Sequence, residues 1–294
     1  MSDKSSLAEG VVVRSYGGFW YVWEGSAVLE CSLRGRFRYE KRHVLVGDKV
    51  LVRAEGGGKG VIEEILPRCN ALTRPPIANV DQAVIVFAVR EPDPSPQLLD
   101  RMLLVAEINR VRPLICFNKA DLAAGGQVEL LSRYQNLYRT VLTSATRGEG
   151  LDLLLGMLKG STSVFAGPSG VGKSTILNSI LPGVRLKTGE LSAKLKRGRH
   201  TTRHVELIPL PGGGFVADTP GFSVLDLPAV EPAELSGYFP EMAALAGRCR
   251  FADCLHRQEP GCAVRAAVAG GSICGERYRH YLEFLEEVMA KRRY

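Results

Sequence analysis

Long apolar runs are missing from this chain. No stretch is long enough to cross a bilayer as a helix, and the opening Met1-Ser2-Asp3-Lys4-Ser5 lacks the apolar core of an export signal. An even set of cysteines is missing too. There are seven, which without an export signal argues against a disulfide framework and for a reducing compartment, the cytoplasm by default. Nor is negative charge in excess: Lys and Arg number 38 against 31 Asp and Glu, for a net charge of +7. A surplus of that sign favours a polyanionic partner, with a merely solvated basic surface as the alternative. What is present is an ordinary globular composition, 45% hydrophobic and 23% charged, over 294 residues, enough for two or three domains.

From Gly10 to about Arg68 short apolar runs alternate with turns: Phe19–Trp23, Val44–Val46, Val50–Val52 and Val61–Ile65, with Gly56-Gly57-Gly58 between the last two. About five short strands in such a length predict a small closed barrel of the OB type. Arg34, Arg36, Arg38, Lys41 and Arg42 are interleaved with aromatics, a composition suited to single-stranded nucleic acid. On this segment alone, aromatics filling the barrel beneath solvated arginines fit equally well.

Pro67 and Pro75-Pro76 mark a linker, after which strand and helix alternate. Gln82–Val89, Pro113–Phe117, Thr140–Leu142 and Ser163–Ala166 are apolar; Leu98–Asn109, Val128–Tyr138 and Leu151–Lys159 read as helices. This predicts a largely parallel sheet covered on both faces, with ligands beyond the carboxyl ends of its strands. Past Pro228 the chain reads as helical. Its last element, Glu276–Lys291, puts Tyr278, Tyr281, Leu282, Leu285 and Met289 on one face. The expected architecture is multidomain: an OB-type β-barrel over 1–68, an α/β domain over 69–228 and a mostly helical domain over 229–294.

Gly167-Pro168-Ser169-Gly170-Val171-Gly172-Lys173-Ser174-Thr175 fits the phosphate-binding pattern G-x-x-x-x-G-K-[ST], between apolar Val164–Ala166 and the helical residues Ile176-Leu177. The glycines let successive N–H groups turn toward a phosphate chain. Lys173 is expected to reach the β- and γ-phosphates and Ser174 to hold Mg²⁺, at the positive end of the following helix. By itself the pattern also fits a chance Gly-rich turn. Downstream, His204–Leu210 and Phe215–Ala217 flank Pro211-Gly212-Gly213-Gly214, a β-hairpin, and lead to Asp218-Thr219-Pro220-Gly221. There an Asp holds Mg²⁺ through a water and the Gly221 N–H senses the γ-phosphate.

Asn118-Lys119-Ala120-Asp121 closes the Pro113–Phe117 strand. A carboxylate at Asp121 accepts two hydrogen bonds from the N1–H and N2–H₂ edge of guanine, which adenine cannot supply. Asn118 is expected to brace the loop, Lys119 to cover the base with its alkyl stem, and the Ala145 N–H of Ser144-Ala145 to meet guanine O6. The four motifs together specify GTP. Their order is unusual, because the guanine motif precedes the phosphate loop, whereas ordinary GTPases have it last. Joining old ends and cutting elsewhere leaves the sheet intact, so the α/β domain is expected to be a circularly permuted P-loop GTPase. The segment after Asp218 then runs straight into the C-terminal domain, a short lever for nucleotide state.

Arg185–Arg203 is strongly basic with few apolar anchors and is expected to be mobile. Within it, Thr201 or Thr202 can complete Mg²⁺ coordination, with Thr202 the ligand expected beside Ser174 and Asp218. Phe222 stands where many GTPases carry a water-orienting Gln, so intrinsic hydrolysis should be slow. His200 is the candidate catalytic group, with a plain solvated histidine as the alternative. Finally, Cys249-x4-Cys254-x-His256-x5-Cys262 has the ligand types and spacing of one structural Zn²⁺. Cys31, Cys69, Cys116 and Cys274 read as small buried residues. Metal is expected to stabilise a C-terminal unit whose own core is thin.

These residues together resemble the ribosome small subunit-dependent GTPase family, RsgA (also called YjeQ), over nearly the full length. The resemblance rests on the barrel, Asn118, Lys119, Asp121, Gly167 to Thr175, Gly198-Arg199-His200-Thr201-Thr202, Asp218 and the Cys3His set. It implies GTP hydrolysis stimulated by the small (30S) ribosomal subunit, late maturation of that subunit, and contact with 16S rRNA. A monomer cycling between GTP and GDP, with no membrane partner, is expected. The N-terminal extension of some members is short here.

Overall fold

The computed structural model describes residues 7–35, 43–73, 75–123, 128–181, 205–218 and 226–291. Five strands, β1 (Ala8–Tyr16), β2 (Phe19–Trp23), β3 (Val28–Leu33), β4 (Lys49–Gly56) and β5 (Lys59–Ile65), pair in the order β1-β2-β3-β5-β4. A β1–β4 ladder closes the ring. Alternate residues point inward, and the barrel core is aliphatic: Val12, Val22, Leu29, Cys31, Val50, Val52 and Ile62. The aromatics therefore do not form its centre, although half-buried Trp20 packs against it. Tyr16 and Phe19 are exposed at the β1–β2 turn, and Trp20, Tyr21 and Trp23 are half-buried. Val44–Val46 is not a strand; Val46 makes a single bridge to Ile77. Of the interleaved basic residues, Arg34 pairs with Glu63 at 2.5 Å, and Arg36, Arg38, Lys41 and Arg42 lie outside the described residues.

The expected linker is itself built. β6 (Ala71–Thr73) and β7 (Pro76–Ala78) form a two-stranded ribbon whose Leu72 and Ile77 are buried. Beside it, buried Asp48 accepts from Arg68 Nε at 2.6 Å and Nη2 at 2.8 Å, a bidentate pair at the seam.

The α/β unit follows: β8 (Gln82–Ala88), α1 (Pro96–Ile108), β9 (Arg112–Asn118), a 3-10 turn (Ala120–Leu122), α2 (Val128–Tyr134), β10 (Arg139–Leu142), α3 (Leu151–Leu158), β11 (Thr162–Ala166), α4 (Lys173–Ile180), β12 (Glu206–Pro209) and β13 (Phe215–Asp218). Strands β10, β9, β8, β11 and β13 run parallel, and β12 is antiparallel to β13. All seven residues of the central strand β8 are buried, as both covered faces require. One face packs α3 and α4 through Leu154, Leu158, Ile176 and Ile180. The other packs α1 and α2 through Leu99, Leu103 and Tyr134. β1 bridges to β12 at Arg14↔Glu206, so the barrel continues the nucleotide-binding sheet.

The C-terminal part comprises a 3-10 segment (Pro232–Tyr238), α5 (Pro240–Ala243), α6 (Ala263–Ala269) and α7 (Gly275–Lys291). Its core is not thin and not separate: Tyr281, Phe284, Leu285 and Val288 of α7 belong to the same cluster as Leu99 and Leu103 of α1. The buried face of α7 is Arg277, His280, Tyr281, Phe284, Leu285 and Val288, with Tyr278, Leu282 and Met289 at its margins. The buried face is rotated from the expected stripe because Arg277 and His280 both find the buried carboxylate of Asp100.

Candidate nucleotide and metal sites

Five parallel strands end on one edge of the sheet, and four of them deliver a motif there. β11 ends at Ala166 and opens the loop 167–172, whose last residue caps α4; β9 ends at Asn118; β10 leads to Ser144; β13 ends at Asp218. The loop can only be built with glycine at two points. Gly167 has φ +140°, and a Cβ there would sit 2.1 Å from the Val86 carbonyl oxygen. Gly172 has φ +96°, and its Cβ would sit 2.2 Å from Asn118 Nδ2.

That second contact marks how the two halves of the site join. Asn118 Nδ2 donates to the Val171 carbonyl at 2.8 Å, while its Oδ1 accepts from Thr143 Oγ1 and the Ala145 N–H, both at 3.1 Å. One fully buried amide therefore ties the phosphate loop to the base-binding loops. The Ala145 N–H, expected to face guanine O6, is donated to Asn118. The Ala120 N–H donates to the Thr143 carbonyl at 3.0 Å.

Asp121 projects from the 3-10 turn after Lys119, which adopts φ +62°. Ser144 Oγ donates to Asp121 Oδ1 at 2.5 Å. That bond outweighs the opposing effect of burial and, with a backbone hydrogen bond and the Arg147 and Lys119 cations, holds the carboxyl below its usual range. Ser144 thus favours the ionised form of Asp121, which accepts hydrogen bonds only. Lys119 Nζ donates to the Glu91 carbonyl, which draws its stem from the base loop toward the β8–α1 loop.

Lys173 is buried, and its ammonium donates to the carbonyls of Gly167 at 2.8 Å and Pro168 at 2.6 Å, inside the curl of the loop. Burial pulls its pKa down to about 8. Ser174 is buried in the first turn of α4; Pro168, Ser169, Gly170 and Thr175 complete the loop and helix start. Asp218 is placed by its backbone at the end of β13, opposite Glu206. His200, Thr202 and Gly221, with Arg185–Arg203 and Phe222, lie outside the described residues.

A second constellation sits in the loop before α6. The ligand atoms of Cys249, Cys254, His256 and Cys262 all lie within 4.8 Å of one another. His256 Nδ1 is 3.6, 3.5 and 3.4 Å from the three sulfurs in turn, and Cys249 Sγ is 4.0 Å from Cys262 Sγ. A tetrahedron with zinc–ligand lengths of roughly 2.3 Å to sulfur and 2.0 Å to nitrogen has edges of about 3.8 and 3.5 Å. The donor set fits. Backbone N–H groups of Ala263 and Arg265 point at Cys249 and Cys262 sulfurs, both at 3.4 Å, the support a thiolate ligand needs.

Several residues support this cluster in ways the sequence did not signal; Tyr278 and Tyr281 read there only as part of an apolar stripe. Tyr278 and Tyr281 donate from α7 to the His256 and Leu255 carbonyls at 2.6 and 2.9 Å. Glu259 accepts from the Leu255 and Arg257 N–H groups at 2.9 and 2.7 Å. Thr143 could have been suspected only from its place before Ser144. Among the four cysteines outside the cluster, Cys31 and Cys116 are buried, but Cys69 is exposed and Cys274 half-exposed, contrary to expectation. No described helix is long and apolar enough to cross a membrane.

Comparison with known proteins agrees with this geometry. The family description RsgA GTPase matches residues 65–228, and RsgA N-terminal domain matches residues 9–62. The small ribosomal subunit biogenesis GTPase RsgA of Moorella thermoacetica is 54% identical over 286 residues, covering 97% of this chain and 99% of the relative. Its counterpart in Carboxydothermus hydrogenoformans is 49% identical, with 97% and 99% covered. Among solved structures, YjeQ from Thermotoga maritima superposes with a TM-score of 0.86 at 38% identity, over 97% of this chain and 99% of that one. YloQ, described as a circularly permuted GTPase, gives 0.85 at 39% identity, over 99% and 98%.

Proposed function

Since this chain belongs to the RsgA GTPase family, we propose that it binds the small (30S) ribosomal subunit, couples GTP hydrolysis to late maturation of that subunit, and is released when GTP becomes GDP. It is a GTP-hydrolysing enzyme of ribosome biogenesis. The observation that carries the reading is the Asn118 amide, which joins the phosphate loop at Val171 to the base loop at Ala145. That link supports a reading in which Asp121 and Lys173 hold opposite ends of one nucleotide.

In this reading Asn118, Lys119, Ala120, Asp121, Ser144 and Ala145 select guanine, and Gly167 to Thr175 enclose the phosphates. Mg²⁺, held by Ser174, Thr202 and Asp218, would draw negative charge from the β- and γ-phosphates. Lys173 exchanges its carbonyl partners for phosphate oxygens. His200, brought in when the basic segment orders around GTP, orients the attacking water in place of the absent Gln, and Gly221 reports loss of the γ-phosphate. One zinc, held by Cys249, Cys254, His256 and Cys262, would cross-link the loop against α7.

The chain works as a cytoplasmic monomer of three units, 1–68, 69–228 and 229–294. Contacts to 16S rRNA come from the barrel, the basic segment and the C-terminal unit, which exposes Arg248, Arg250, Arg257 and Arg265 and holds the Arg250 guanidinium over exposed Phe251. GTP turnover should rise strongly with 30S particles and fall as salt is raised, because neutralised phosphates release counterions. Turnover indifferent to 30S across a salt series overturns the proposal.

A further inference from the structure

A cleft of about 500 Å³ opens where the barrel meets the β12–β13 hairpin. Its walls are Val11 and Trp23 from the barrel and Pro209, Leu210 and Phe215 from the hairpin; Glu9 and Glu24 stand at the barrel side. Val11, Trp23 and Phe215 are half-buried members of the main core, so the floor is firm. No basic side chain lines the cleft, and neither glutamate forms an ion pair among the described residues. This is the reverse of the surface a chain of net charge +7 offers a nucleic acid. A phosphate here would meet two carboxylates without a cation, at a Coulomb penalty.

We propose that this cleft binds a lysine- or arginine-bearing segment of a polypeptide. An arginine stem lies on the Trp23 and Phe215 rings, where its guanidinium gains cation–π attraction, and the head group pairs with Glu9 and Glu24. A cleft of this volume takes one or two such side chains. The site adds to the rRNA contacts a protein contact that those contacts cannot replace. Because it spans β1 and the hairpin between Glu206 and Asp218, its occupant touches the barrel and the nucleotide-binding sheet together.

The chain has two tryptophans, and Trp20→Phe leaves Trp23 as the sole tryptophan, which is excited selectively beyond the absorption of tyrosine. Titrating that full-length variant at low ionic strength with N-acetyl-hexa-arginine amide should give a saturable change in Trp23 emission. The added pair Glu9→Gln/Glu24→Gln should weaken it at least tenfold, with an unchanged melting temperature. N-acetyl-hexa-glutamate amide and a single-stranded oligouridylate should leave Trp23 unaltered. Equal affinity in the glutamine variant, no Trp23 response to the arginine peptide, or an equal response to the oligouridylate overturns the proposal. The titration contains no ribosome, so its outcome is independent of 30S stimulation.

Discussion

Arg277 of α7 donates to Asp100 of α1 at a point where both side chains are fully buried. Asp100 also accepts from Tyr134 Oη at 2.8 Å and lies 2.6 Å from His280 Nδ1. Arg277 holds Glu241 as well, through Nε at 2.6 Å and Nη2 at 3.2 Å, beneath the rings of Tyr134, Tyr138 and Phe239. This network pins the C-terminal unit to a helix that begins at the rim of the nucleotide site.

Removing one partner strands buried charge. Arg277→Met should therefore lower unfolding free energy by about 3–5 kcal/mol, read from the urea midpoint. Breaking the exposed pair Arg257–Glu286, 3.5 Å apart, should change it by about 1 kcal/mol or less.

Gly172→Ala puts a methyl into the space of Asn118 Nδ2 at a φ that side chains avoid. It should abolish measurable GTP binding by calorimetry while the chain stays folded by circular dichroism. Asn118→Ala, which removes the brace and its three hydrogen bonds without a clash, should weaken GTP about 10- to 100-fold, at roughly 0.5–1 kcal/mol per bond.

Asp121→Asn keeps the shape but replaces an acceptor with a donor. GTP affinity should fall about 100-fold or more, and xanthosine triphosphate, whose 2-oxo group accepts from an amide, should bind better than GTP. Competition against a fluorescent nucleotide measures both.

The Lys173 pKa of about 8 lies below that of an ordinary lysine. Burial disfavours the ammonium, so its destabilising effect on the nucleotide-free fold is present below about pH 8 and fades as pH rises toward the usual lysine value. Phosphate binding needs that ammonium. GTP affinity should thus fall about fourfold between pH 7 and 8.5 as a proton must be taken up, and Lys173→Arg should remove this dependence.

Purified protein should carry one zinc per chain by elemental analysis. Chelation should expose the loop of residues 249–262 to protease and lower the melting temperature, while GTP affinity changes little, since no described hydrogen bond joins the four ligands to Asn118, Asp121, Ser144 or Lys173.

The places of Asn118, Gly167 and Asp218 at strand ends were legible from periodicity and glycine spacing. The barrel was legible from its strand rhythm, but not its content: alternation put aliphatic residues such as Val12 and Ile62 inside and left Phe19 out. Arg277 and His280 were not, because a buried charge is betrayed only by partners such as Asp100, 177 positions away. The bridge from Arg14 to Glu206 was hidden likewise, since one pair of residues leaves no pattern in either strand.

The central claim is that Asp121 and Lys173 grip the two ends of one guanosine triphosphate. Calorimetric titration of the full-length chain with GTP and with ATP, each with Mg²⁺, tests it most directly. One site per chain with GTP favoured at least 100-fold is the expected result; equal affinity for the two purines contradicts it.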